Sequence, residues 1–176
     1  MILWIITLLI ILTVVSLLLI NNRVLRYILG AISIVLLLDS VLLLSANMHS
    51  HYGMKKVTTE QQTQIYSAAP ANVPVGMLIT KKIENNHSVM IYKDAKNDKQ
   101  PVAHFVPNKK EMLDSLKKTA TYKKANVSTA QVITKTTKWQ YKSDLMEWLF
   151  KFKDGNNLVK VERVVQIPLN WQVINK

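Results

Sequence analysis

The residue types that could do chemistry are thinly spread in this chain. It has four histidines, His49, His51, His87 and His104. His49 and His51 stand close enough to share a metal, with His87 and His104 as further ligands. Neither an HExxH run nor a Cys/His cluster supports such a centre, and two nearby histidines in a polar stretch are ordinary connector residues. Cysteine is absent, which excludes thiol chemistry and a disulfide framework. Glycoside hydrolysis needs two carboxylates facing one cleft. Beyond the apolar N-terminal stretches the ten acids are scattered among lysines, and only Glu147 of these stands in an apolar context. No GxSxG elbow marks a Ser/His/Asp nucleophile. The four glycines form no phosphate-binding loop. No catalytic, cofactor-binding or metal-ligating residue is expected, and the chain reads as non-enzymatic.

Lysines interleave with aromatics from Lys138-Trp139-Gln140-Tyr141-Lys142 to Trp148-Leu149-Phe150-Lys151-Phe152-Lys153. Such a run could stack single-stranded nucleic acid or sugar rings. Strict alternation explains most of it as the core face of a strand. Trp139 and Tyr141 share their face with Lys135 and Thr137, which is more mixed. Lys135, Trp139 and Tyr141 are the candidate surface contact.

The sharpest single residue is Asp39. It lies in an apolar stretch from Tyr27 to Ala46, which follows another from Ile2 to Ile20 that has no charge, Gly or Pro. At about 1.5 Å per residue each is long enough to cross a hydrocarbon core as a helix. Inside lipid every backbone polar group must be bonded within the chain, so both are expected to be helical. A cleaved signal peptide fits poorly, because no basic region precedes Ile2 and Asn21-Asn22-Arg23 is not a small-residue cleavage site. The expected unit is a membrane hairpin. Gly30, Ser33, Leu37 and Ser40 fall on one narrow stripe of the second helix, the small-residue kind that lets helices approach closely. Thr13 and Ser16 match it in depth on the first helix, so these stripes are the expected hairpin packing.

Asp39 points away from that stripe, and Thr7 lies at its depth, also off the interface. A carboxylate near mid-bilayer costs on the order of 3 kcal/mol. Two readings stand side by side. Asp39 bonds Thr7 or Ser40 locally or reaches toward the headgroups, or else it contacts another copy or a different membrane protein. A proton relay is the weakest reading, since no second ionisable group shares the spans.

Arg23 and Arg26 lie in the short loop between the spans. Positive-inside bias puts that loop in the cytoplasm and both termini outside; His49, His51, Lys55 and Lys56 after the second span argue the other way, but a long domain translocates largely regardless of its charge. Trp4 and Tyr27 sit near span ends, as interfacial aromatics do. The whole chain of 176 residues carries a net charge of +12, nearly all of it from lysine. On the outside, that charge favours membrane lipid headgroups or an anionic wall polymer. Nucleic acid is not an expected partner there.

Beyond the hairpin (1–46, spans about 2–20 and 27–46) come a juxtamembrane connector (47–74) and a basic extracytoplasmic β domain (75–176). Pro70 and Pro74 break the chain. Alternation predicts strands over Gly76–Ile83, His87–Lys93, Val102–Val106, Ala130–Tyr141, Leu145–Lys153 and Leu158–Ile167. Turns are expected at Asn85-Asn86 and Asp154-Gly155, and one helix at Lys109–Lys118. Ile79-Thr80-Lys81 and Ile133-Thr134-Lys135 open two similar runs, each passing through Lys-Asp and ending at a proline. They read as two repeated three-strand meanders. The expected class is an α+β membrane protein, a transmembrane helical hairpin followed by a mainly antiparallel β domain.

The segment Arg23-Val-Leu-Arg-Tyr-Ile-Leu-Gly30, with Asp39-Ser40 and Ala46-Asn-Met-His-Ser-His-Tyr-Gly-Met-Lys-Lys-Val57, resembles an uncharacterised domain-of-unknown-function family of small membrane proteins from lactic-acid bacteria. The resemblance covers nearly the whole chain and is closest over 20–70. It implies a Gram-positive cell membrane protein with two helices and an exported domain, and it supplies no functional residues. The function expected is that of an accessory or scaffolding subunit that docks a membrane partner such as a transporter, or its own copy, through Asp39 and Thr7. The alternative is an envelope module that binds anionic wall polymer or lipid headgroups through its lysines.

Overall fold

The computed structural model describes residues 1–70, 73–84, 86–107, 115–151 and 157–176. They fall into two compact units, Met1–Lys56 with Trp139–Asn157, and Val57–Lys138 with Leu158–Lys176.

The first unit is built on two helices, α1 (Ile2–Leu19) and α2 (Arg23–Ser50), both long and apolar enough to cross a membrane. Asn22 starts α2, its side chain accepting from the backbone N–H groups of Val24 and Leu25. The Arg26 side chain donates to the Ile20 carbonyl at 2.8 Å and closes the loop. Most side chains of the pair point outward. The main inward row is Ile2, Ile6, Leu9, Thr13 and Ser16 on α1 and Ile20 just after it, against Arg26, Gly30, Ser33, Leu37, Ser40, Leu44 and Asn47 on α2, with Ile5 and Ala46 half-buried at its edge. The row's spacing alternates between three and four, the 3.5-residue repeat of a left-handed helix pair. A Cβ on Gly30 would stand 2.7 Å from Leu17 Cδ2, so the Leu17 side chain would have to shift to admit one. Beside it, Thr13 Oγ1 lies 3.0 Å from Ser33 Oγ, which donates to the Gly30 carbonyl.

Helix α2 runs past the expected span end to Ser50. It stops at His51, whose backbone is left-handed (φ 55°) and whose N–H returns to the Asn47 carbonyl. The same unit contains α3 (Asp144–Phe150), where the alternation of Met146, Trp148, Phe150 and Phe152 predicts a strand. Helix wins for local reasons. Ser143 caps the N-terminus by accepting from Met146 N–H, and Glu147 pairs with Lys151 one turn on, at 2.6 Å. The burial is helical too: Phe150 is buried and Met146 and Leu149 half-buried, while Leu145 and Trp148 face outward. The Met1 amino group donates to the carbonyls of Trp148 and Leu149 at the end of α3.

The strands are β1 (Met54–Gln64), β2 (Met77–Glu84), β3 (His87–Tyr92), β4 (Val102–His104), β5 (Lys118–Ala125), β6 (Gln131–Tyr141), β7 (Leu158–Pro168) and β8 (Gln172–Asn175). Among the described residues they form one sheet in the order β1-β6-β7-β5-β3-β2-β8, with β4 also on β3. Two expectations are corrected. The sheet is mixed, not mainly antiparallel: β5 runs parallel to both β3 and β7, and β8 runs parallel to β2. Strand β5 carries most of that change, and its sequence KTATYKKA has no apolar alternation to announce it. Secondly, the meander β2-β3-β4 is present, but its proposed repeat is not, since α3 replaces the middle strand and β6 pairs directly with β7. The connector carries β1, which ends just before Ile65. The expected turn residues Asn85 and Asp154-Gly155, and most of the Lys109–Lys118 helix, lie outside the described residues; Lys118 itself begins β5. The core of the second unit is Ile65, Leu78, Met90, Tyr92, Ala120, Ala130, Val132, Val165 and Ile167.

Candidate functional site

On α2 the stripe that meets α1 is spent on packing: Gly30, Ser33 and Asn47 are buried and Ser40 is half-buried. Asp39 is one residue from Ser40 and falls on the other side, exposed. Among the described residues no hydrogen bond or ion pair engages its carboxylate. The nearby hydroxyls are already committed. Ser40 donates to the Leu36 carbonyl and Thr7 to the Leu3 carbonyl, each one turn back along its own helix. Thr7 is exposed as well. Asp39 is thus a lone carboxylate on an apolar helix face formed by side chains such as Val35, Leu38 and Leu42, all exposed. Thr13 and Ser16 face α2: Ser16 is 2 % exposed, and its hydroxyl donates to the Arg26 carbonyl at 3.3 Å. Arg23 is exposed beside the α1–α2 turn.

The C-terminal end of α2 opens into a groove of ≈ 600 Å³. Its polar walls are Asn47, His51, Trp139, Tyr141 and the Glu147–Lys151 pair. The His51 ring stacks on Trp139 with centroids 4.2 Å apart, and Lys56 Nζ stands 5.1 Å from the same indole. Both contacts follow from α2 ending in a left-handed turn that swings His51 back over β6. Tyr141 donates to the Phe150 carbonyl at 3.0 Å, and burial pushes its hydroxyl pKa up from the ordinary value. Trp139 and Tyr141 are therefore half-buried packing residues of the first unit as well as groove walls. Lys135 belongs to the second unit, where it pairs with Glu60 at 3.2 Å.

These features sit on a chain whose kinship is plain. The chain belongs to the family described as Domain of unknown function (DUF4811). The match covers residues 22–176, from the cap of α2 through β8. No curated protein and no solved structure matches it. Membership takes in Asp39, the groove and the whole sheet, and carries no assigned activity.

The histidines are placed apart. His49 is exposed on α2 and His51 stacks on Trp139, while His104 stacks on Tyr92 at 3.9 Å. His87 bridges two backbone carbonyls. Among the described residues no three His, Asp or Glu side chains converge on a point that could hold a metal. Lys56, read from the sequence only for its bearing on topology, faces Trp139, and Arg163 on β7 was not singled out. Arg163 had a signal. Period two puts it on the same face as Val161, Val165 and Ile167, the buried face of that strand.

Proposed function

We propose that this chain is a non-enzymatic protein of the Gram-positive cell envelope, held in the membrane by α1 and α2 with both termini outside. It acts as an accessory subunit that docks a membrane partner through the Asp39 face. The observation that carries this reading is the exposed, unengaged Asp39 on a helix whose opposite face is used up by the helix pair. Two features support the membrane anchor. Large apolar side chains such as Leu8, Leu18, Leu19, Leu38 and Leu42 are exposed along both helices, far beyond what a water-facing surface tolerates. Arg23 and Arg26 lie at the connecting turn, as the cytoplasmic loop of a two-pass anchor would have them. In lipid, a lone carboxylate costs on the order of 3 kcal/mol, and a polar partner recovers it.

The test is co-purification in mild detergent. Asp39→Leu releases the partner while the hairpin stays intact, because the substitution does not touch the Gly30–Ser33 stripe. Asp39→Asn retains part of the contact, since it keeps a hydrogen-bonding group. An undiminished partner yield from Asp39→Leu removes the docking role.

A second reading is binding of anionic wall polymer or lipid headgroups. Exposed lysines at Lys55, Lys81, Lys82, Lys123 and Lys124 favour it. Retention of the detergent-solubilised full chain on anionic polymer then falls steeply with salt, and salt-independent retention would discard it.

A further inference from the structure

Arg163 is a charge on the core face of a strand. Its neighbours along β7 on that face, Val161 and Val165, are 6 % and 0 % exposed. Arg163 itself is half-buried, and across the sheet it is in register with Ala120 of β5 and Thr134 of β6. Its guanidinium lies over the Phe105 ring, 5.1 Å from the centroid. Among the described residues no carboxylate faces it. The polar side chain that acts on it is Tyr92, a phenol that burial keeps neutral. Guanidinium groups withdrawn from water are ordinarily matched by an anion.

A cavity of ≈ 290 Å³ opens beside this group, walled by Phe105 and Pro107 and lined by Arg163, Lys118 and His87. His87 Nδ1 lies 3.1 Å from the Lys118 carbonyl and Nε2 lies 2.7 Å from the Phe105 carbonyl. Phe105 holds its carbonyl there at the expense of a left-handed backbone, φ 61°, which is rare for a bulky residue. Three basic residues thus converge on one small cavity, and no acid lines it among the described residues.

The geometry points to an anion pocket bounded by β3, β5 and β7 that binds a phosphate group, with Arg163 as the principal ligand, Lys118 as the second cation and the His87 ring held in its wall between two backbone carbonyls. Arginine suits this work because its planar fork matches two phosphate oxygens at once. The pocket is independent of the Asp39 face, and the failure of either assignment leaves the other standing.

The experiment uses the full chain in detergent. Thermal midpoints and calorimetric titrations are measured with sodium phosphate against sodium chloride at matched ionic strength. Phosphate raises the midpoint and chloride does not, because a ligand that binds only the folded state stabilises it. Arg163→Gln weakens phosphate about tenfold, the loss of one charge-assisted bond. Lys118→Gln weakens it less, and Lys99→Gln, an exposed lysine elsewhere, leaves it unchanged. If Arg163→Gln fails to fold, Lys118→Gln and His87→Asn carry the same test. Dimethyl phosphate distinguishes the source. Binding as tight as that of inorganic phosphate assigns a phosphodiester, as in a polymer or lipid headgroup. Preference for inorganic phosphate assigns a free or terminal phosphate. Equal effects of phosphate and chloride, or phosphate binding unchanged in Arg163→Gln and Lys118→Gln, overturn the pocket.

Discussion

The helix pair and the sheet treat a lone charge in opposite ways. In the helix pair, the few polar groups turned inward are self-satisfied: Thr13, Ser16 and Ser33 bond one another or the backbone. The charge, Asp39, is put outside among apolar side chains. In the sheet, the interior is apolar and the charge, Arg163, is turned into it. On the readings proposed above, the outward carboxylate meets a large partner alongside and the inward guanidinium a small ligand that enters. The same elementary fact, that an unmatched charge in an apolar setting is costly, gives two kinds of candidate site according to which side of the element the residue falls.

The comparison is broken most strongly at the packing that keeps the two interiors distinct. Leu78 is fully buried in the sheet core. Leu78→Ala is expected to cost about 2–5 kcal/mol, read as a lower denaturation midpoint. In the helix pair the corresponding lesion is too much volume. Gly30→Leu drives a side chain into Leu17 and costs about 1–3 kcal/mol. A pair of cysteines at Thr13 and Ser33, whose hydroxyls meet across the helices, then crosslinks less readily. If Gly30→Leu left that crosslink unaffected, the helices would not meet at this stripe.

A prediction of the opposite sign sharpens the contrast. Arg163→Met keeps most of the side-chain volume and removes the half-buried charge. Replacing a desolvated ion by an apolar group of similar size is commonly neutral or stabilising. In phosphate-free buffer Arg163→Met is expected to raise the stability of the chain by about 1–2 kcal/mol. In phosphate the order reverses, because only wild type gains from the ligand. A variant less stable than wild type in both buffers would mean that Arg163 is held by its stacking on Phe105 and serves packing alone.

How much of this was legible in the sequence depended on how far a local signal reaches. The hairpin stripe was readable because helix periodicity is carried by the helix itself: Gly30, Ser33, Thr13 and Ser16 are small residues in a large-residue background. Asp39 was readable because nothing else in its run is charged. The strands β2, β3, β6 and β7 announced themselves by alternation. Helix α3 did not, because Met146, Trp148 and Phe150 satisfy a period of two, and the cap at Ser143 with the Glu147–Lys151 pair was the competing signal that prevailed. Strand β5 is held by its neighbours β3 and β7 and has no pattern of its own, so the parallel pairing it creates was invisible. Arg163 stood in plain view on the apolar face of β7, and the cavity beside it is made of residues from four separate stretches of chain, which no local pattern joins.

A smaller effect tests α3 itself. Ser143→Ala removes the hydroxyl that accepts from Met146 N–H and is expected to cost about 1 kcal/mol, seen as faster hydrogen exchange at the first turn of α3. Ser143→Asp restores most of it, because a carboxylate caps as well and favours a helix N-terminus.

The smallest expected effect is at the surface of the sheet, where charge is matched and nothing is withdrawn from water. Lys135 donates to Glu60 at 3.2 Å, and this bond, with a second from Gln62, holds the Glu60 carboxyl below its ordinary value. A carboxyl whose folded value is depressed contributes stability that is fully present above its unfolded value. That contribution is lost as the pH falls through the lower folded value. Both groups are exposed, so water and salt screen the pair. Lys135→Gln should therefore leave the midpoint of the chain almost unchanged near neutral pH and slightly flatten its fall between neutral and acid. Raising the salt concentration should erase even that difference. A large loss at neutral pH from Lys135→Gln would instead mark Lys135 as part of a contact that the isolated chain does not show, and would return it to the candidate surface with Trp139 and Tyr141.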